Sequence, residues 1–263
     1  MAKVDRLGWT AGLAFIAYGA SVGIRTNDGA VLERVQEYMP PEWEATDDPV
    51  VDTVFSVRVA PPTKRKGRRN YHLLYSEAVL VKRTLDLATL FEPLENLLRL
   101  TVAFRADQEY LFVHAGVVGW QGQAIVIPGR SFSGKTTLVS ALVKAGATYY
   151  SDDMAVFDSA GRVHPYPVPL SMRESDGRCR VNPEALGGQV GDQPLPVGLV
   201  VVTNYADGAR WQPRPLTAGR ALMALLDNTV AARRDPATSL PILQQVVSRA
   251  TSIKSKRGDA SAV

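Results

Sequence analysis

Apolar residues alternate with polar ones in several short stretches and recur every three or four positions in fewer, longer ones, which predicts a mixed α/β protein. Residues 13–18 and 20–25 are predicted strands. In 30–38, Val31, Val35 and Tyr38 share one face with Glu33, Arg34 and Glu37 opposite; this is helical spacing, and Met39-Pro40-Pro41 ends it. Residues 54–59 and 71–75 are rich in strand formers. The series Leu87, Leu90, Leu94, Leu97, Leu98, Val102 predicts a helix with Asp86 as N-cap and Pro93 as a kink or restart. Beyond it short apolar strands alternate with one amphipathic helix, so the chain is divided near residue 100 into an N-terminal α/β region, 1–100, and a second domain, 101–263. Residues 173–196 are Gly-rich and weakly periodic and are expected to form a loop with a short helix. Residues 218–232 and 241–250 are predicted packing helices, and 257–263 is read as the start of another, cut short by the chain end.

One segment carries a complete chemical pattern. The apolar run 123–128 is followed by Gly129-Arg130-Ser131-Phe132-Ser133-Gly134-Lys135-Thr136, a full match to G-x-x-x-x-G-K-[ST]. Thr137 continues into a stretch with Leu138, Ala141, Leu142 and Ala145 at helical spacing, and Gly146 is placed to stop it. Strand, glycine loop and helix are what phosphate binding requires. Backbone N–H groups at the helix N-terminus hold phosphate oxygens, Lys135 reaches the β- and γ-phosphates, and the Thr136 hydroxyl ligates Mg²⁺. A nucleoside triphosphate and Mg²⁺ are therefore expected, with residues 129–137 as the binding loop; the sequence has no base-reading motif.

Seventeen positions after Lys135 stands Asp152, in the segment Thr148-Tyr149-Tyr150-Ser151-Asp152-Asp153, a short strand that ends in paired acids. One carboxylate can hold Mg²⁺ while its neighbour takes a proton from an acceptor hydroxyl. A turn-forming pair is the alternative. His114 lies in the apolar strand 111–118, where spacing alone favours a satisfied core residue. His72 and His164 are isolated, and the Cys and His spacing supports no zinc site.

Together, His114-Ala115-Gly116 on a strand, the 129–136 loop after a second strand, and Ser151-Asp152-Asp153 after the following helix resemble the kinase domain of the HPr serine kinase/phosphorylase family, and especially its shorter bacterial relatives. The resemblance is firm over 111–173 and looser elsewhere. It implies the nucleotide-binding architecture that this family shares with phosphoenolpyruvate carboxykinases, a mixed-sheet P-loop kinase core, and phosphate transfer to a serine hydroxyl of a protein or peptide. ATP over GTP is implied only by this resemblance. It implies catalytic roles for Lys135, for His114 near the acceptor, for Asp152 as base, and for Asp153 with Thr136 on the metal side, the roles of the two acids being interchangeable. Arg173 is implied at the phosphates or the acceptor, with an exposed strand-end position as the alternative. The chain departs from the family at Phe132, where Gly is usual, and has no counterpart of the phosphorylase segment after Arg173. The first hundred residues do not resemble the family's regulatory domain. Family members assemble into rings, but nothing in the sequence marks an apolar interface, and homo-oligomerisation is left open.

Composition narrows the classes further. With 46% apolar residues, a net charge of +4 and one Cys among 263 residues, the chain is neither a disordered protein nor a disulfide scaffold. Lys3 and Arg6 precede an apolar stretch, the outline of a signal peptide. Asp5 and Gly12 dilute that pattern and the run is short, so it is read as strand and the protein as cytoplasmic, with no membrane partner. Five basic residues in 61–69 and the cluster at 254–257 account for the local charge excess, and a solvated hairpin tip is the plain reading of the first. Acidic or phosphorylated acceptors suit this pattern better than nucleic acid. A nucleotide-binding regulator without transfer and a small-metabolite kinase are the competing functions.

Overall fold

The computed structural model describes residues 3–61, 69–130, 133–174, 177–232 and 234–260. Ser131 and Phe132 of the glycine loop, and most of the basic run at 64–69, lie outside them. The chain divides into two compact units, Met1–Asp107 and Gln108–Val263. The division falls a few residues after the expected position near 100, because the long helix stays with the N-terminal unit to its last turn.

The first unit contains β1 (Ala11–Ala17), β2 (Ala20–Thr26), α1 (Ala30–Val35), β3 (Glu44–Thr46), β4 (Thr53–Arg58), β5 (His72–Ser76), β6 (Val79–Thr84) and α2 (Phe91–Arg105). Its six-stranded sheet has the order β3-β1-β2-β4-β5-β6, with only β2 and β4 parallel. The helix expected over 30–38 is α1 continued by a 3₁₀ turn, and Asp86 caps a 3₁₀ turn at 87–90 by accepting from Ala88 N–H. Pro93 sits in the first turn of α2, which begins at Phe91 directly after that 3₁₀ turn, and its missing N–H there leaves no bond unmade. The edge strands β3 and β6 have no counterpart among the expected elements. Val79, Leu80 and Val81 of β6 are exposed, so no one-sided pattern marks it.

The second unit begins with β7 (Tyr110–Trp120), β8 (Gln123–Pro128), α3 (Lys135–Lys144), β9 (Thr148–Ser151), β10 (Met154–Asp158) and β11 (Arg162–His164). The hairpin β12 (Leu170–Glu174) and β13 (Gly177–Val181) follows, then β14 (Leu195–Tyr205), β15 (Arg214–Pro215), α4 (Ala218–Leu226), α5 (Pro236–Arg249) and β16 (Thr251–Arg257). The main sheet runs β11-β10-β7-β8-β14-β16-β15, with β9 also on β7 and β11 reaching the start of β14. β8, β14 and β16 are parallel, so their C-terminal ends share one edge.

Alternation along β7 sends Leu111, Val113, Ala115 and Val117 into a core with α4 and α5, while Val118 joins α3 on the other face. The sheet is thus covered on both sides, which makes this unit a mixed α/β layer structure.

Three expectations are corrected here. Residues 173–196 contain the expected short helix as a 3₁₀ turn at 183–186, but the expected loop gives way to part of the β12–β13 hairpin and the start of β14, because backbone pairing does not need the side-chain alternation that the stretch lacks. The last helix starts at Pro236 and not at 241; Asp235 caps it through Thr238 N–H, and Pro236 occupies the first turn. At 257 the chain is still in strand β16, its alternation of exposed Lys254 and Lys256 with buried Ser255 and Arg257 being that of a strand; helical conformation is met only at Ala260, as 3₁₀, and 261–263 lie outside the described residues. Among the described residues no helix is long and apolar enough to cross a membrane.

Candidate functional site

β7 is the strand on which the site is assembled. One of its edges pairs with β8; along the other, β9 and β10 follow one another end to end, and Asp152-Asp153 forms the bend between them. The hinge of this arrangement is His114-Ala115. The carbonyl of His114 accepts from Gly129 N–H at 3.1 Å, at the mouth of the glycine loop, and Ala115 N–H donates to the Asp153 carbonyl at 3.1 Å. Two backbone hydrogen bonds from adjacent residues therefore fix the loop and the acid pair against the same point of the strand.

The bend is shaped locally. Ser151 Oγ accepts from the N–H groups of Asp153 and Met154 at 3.2 and 3.0 Å, an arrangement in which a short hydroxyl side chain takes over bonds that strand pairing has released. Asp152 is buried and Asp153 half-buried. Beside Asp152 lies Tyr149, whose hydroxyl donates to the Val168 carbonyl at 2.7 Å and stands 3.3 Å from Asp152 Oδ1. Burial, followed by the charge of Asp152, pushes the Tyr149 phenol well above its ordinary range, so it stays a neutral hydroxyl.

The loop itself leads from Pro128 at the end of β8 into α3. Gly134 is the N-cap of α3 and has φ of +83°, a left-handed conformation that glycine adopts without strain. Lys135, first residue of the helix, folds its amine back to donate to the carbonyls of Gly129 and Arg130 at 2.7 and 3.1 Å. Burial lowers the Lys135 pKa, opposed by the nearby charges of Asp153 and Asp152. The acids and the lysine are thus electrostatic neighbours although they come from different ends of the motif. Thr136 is half-buried and Thr137 exposed in the first turn; Arg130 is exposed at the start of the loop.

The helix sits close to the sheet because Gly116 lies beneath it. A β-carbon on Gly116 would stand 2.6 Å from Val139 Cγ2 and 3.7 Å from Lys135 Cβ. His114 is two residues away on the same face of β7, half-buried, with its N–H donated to Asn228 at 2.8 Å. The structure thus gathers Gly129, Arg130, Ser133, Gly134, Lys135, Thr136, Thr137, His114, Asp152 and Asp153 around one edge of the sheet. Arg173 is placed on β12, opposite Arg178, in the separate two-stranded sheet. His164 is not isolated: its Nε2 lies 3.2 Å from Asp158 Oδ2, which secures a turn and not the site.

Two residues at this edge escaped sequence reasoning. Tyr149 reads only as a strand aromatic. Arg257, at the end of β16, is almost fully buried and donates from Nη2 to the Gly134 carbonyl at 2.7 Å. Its period-two alternation with Lys254 and Lys256 was the available sign that it points inward. Among the described residues no group of three or more His, Cys, Asp or Glu side chains is placed to share a metal ion. The side chains of Thr136, Asp152 and Asp153 offer oxygen atoms only, the ligand type of hard cations. Comparison with known proteins finds no matching family model and no matching curated sequence.

Proposed function

We propose that this protein is an ATP- and Mg²⁺-dependent kinase that transfers the γ-phosphate to a hydroxyl, with a serine of a protein or peptide as acceptor, on a P-loop kinase core of the HPr kinase type. The observation that carries the reading is the backbone of His114-Ala115 joined to both Gly129 and Asp153, which sets the first residue of the G-x-x-x-x-G-K-[ST] motif and the acid pair against one point of the sheet. A turn-forming acid pair alone gives no reason for that convergence.

Bound Mg–ATP supplies the transferable phosphoryl group and neutralises its charge. The N-terminal N–H groups of α3 bind phosphate oxygens, and Lys135 exchanges the Gly129 and Arg130 carbonyls for them. Thr136 and Asp153 would hold the metal, whose charge would offset that of the phosphates. Asp152 accepts the proton of the acceptor hydroxyl at one carboxylate oxygen. His114, on the same face as Gly116, lines the approach for the acceptor.

The test is incubation with ATP, Mg²⁺ and candidate acceptor proteins, followed by mass spectrometry and nucleotide titration. Lys135→Ala is expected to lose nucleotide binding and transfer together. Asp152→Asn is expected to keep ATP affinity within about twofold while transfer falls by roughly 10²-fold or more, the usual contribution of a positioned base. Absence of phosphorylated product, with wild type indistinguishable from Lys135→Ala, sinks the kinase reading; saturable ATP binding without product favours a nucleotide-dependent regulator.

A further inference from the structure

Arg257 carries a cation into a place where elementary electrostatics disfavours one. Its residue exposure is 2%, and among the described residues its Nε has no acceptor. The guanidinium faces the N-terminus of α3, the positive end of a ten-residue helix. Desolvation lowers its pKa, only partly offset by Tyr205 and Asp259. Three costs therefore meet at one side chain: burial, an unmade hydrogen bond and an unfavourable dipole.

Its surroundings are built to hold it there. Nη2 donates to the carbonyl of Gly134, the same oxygen that accepts the first helical bond from Leu138 N–H at 3.1 Å. Nη1 donates to the Gly258 carbonyl at 3.3 Å, and the Arg257 carbonyl accepts from Ala206 N–H at 2.9 Å. The Tyr205 ring, at the paired end of β14, stands over the guanidinium at 5.8 Å. The guanidinium, as placed, also fills the space that a side chain at 134 would occupy.

We infer that Arg257 is a positioning residue for a polyphosphate on the glycine loop: it fixes the Gly134 carbonyl, and with it the first turn of α3, and sets a second positive charge behind Lys135. This inference rests on the nucleotide reading of the loop. An anion over the helix N-terminus relieves the desolvated cation and the dipole together, so the cost of burying Arg257 is recovered when phosphate binds.

The experiment titrates full-length protein with a fluorescent ATP analogue and Mg²⁺, comparing wild type, Arg257→Gln, Arg257→Lys and Lys135→Ala, with melting curves for each. Arg257→Gln is expected to bind the analogue at least tenfold more weakly while still folded at the assay temperature, and Arg257→Lys, which keeps the charge, to recover part of the loss. A purely structural arginine would lower the melting temperature and leave the affinity of the folded protein unchanged; that result overturns the inference. Should Arg257→Gln fail to fold, Arg257→Lys decides: affinity equal to wild type refutes the role, and a loss of threefold or more supports it. If wild type itself does not bind the analogue, the nucleotide reading falls and this inference with it; wild-type binding that Lys135→Ala abolishes and neither Arg257 variant changes removes only the inference.

Discussion

Asp158 shows how much one side chain can organise. Its Oδ1 accepts from the N–H groups of Ala160 and Arg162 at 3.0 and 2.9 Å, and its Oδ2 from Arg162 Nε at 2.8 Å, with His164 Nε2 at 3.2 Å. Burial opposes the charged form, but the Arg162 N–H and guanidinium and His164 outweigh it and hold the carboxyl below its ordinary value. Because the folded pKa is depressed, the stabilisation is full above the unfolded value of about 3.9 and is lost as pH falls through the folded one. Asp158→Asn is expected to lower the melting temperature at pH 7 and to flatten its acid decline, which melting curves between pH 2 and 7 would check. An unchanged acid limb would show that other carboxylates dominate it. The sequence marked 159–162 only as a turn; that the turn is closed by a carboxylate, a guanidinium and an imidazole depends on three side-chain directions, which no periodicity encodes.

Among the elements, the contact of α3 with β7 is the one on which the site depends. Gly116 lets the helix lie close enough for Lys135 to rise directly from the sheet, and Val139 fills the space a side chain there would need. Val139 is fully buried and β-branched, so it cannot swing aside cheaply. Gly116→Ala is therefore expected to cost about 1–3 kcal/mol in denaturant unfolding, as overpacking does. Removing the obstructing methyls in Gly116→Ala with Val139→Ala should make the pair less costly than the sum of the single changes, and strict additivity would contradict the contact. The strand, the loop and the helix were all legible, because an apolar run, a glycine motif and helical spacing follow one another without interruption. The edge strands β3 and β6, and the inner strand β16, were not: their pairing is made by backbone groups, and most of their side chains are exposed or polar.

At the scale of the whole molecule, each of the two units has its own sheet and buried residues, and every residue gathered at the candidate site belongs to Gln108–Val263. A separately produced 108–263 fragment is expected to unfold cooperatively and to bind the ATP analogue within about threefold of the full chain; a fragment that is unfolded, or folded but unable to bind, would show that Met1–Asp107 is required. The sequence by itself determined the mixed α/β class, the glycine loop between strand and helix, and the acid pair at a strand end, since each is written in neighbouring residues. Only the tertiary structure decided that His114-Ala115 ties Gly129 to Asp153, that Gly116 underlies Lys135, and that Arg257 reaches Gly134 across 123 positions of chain. Those relations arise from strand order and register, which join residues far apart in the chain and are fixed by backbone pairing and close packing of the whole sheet.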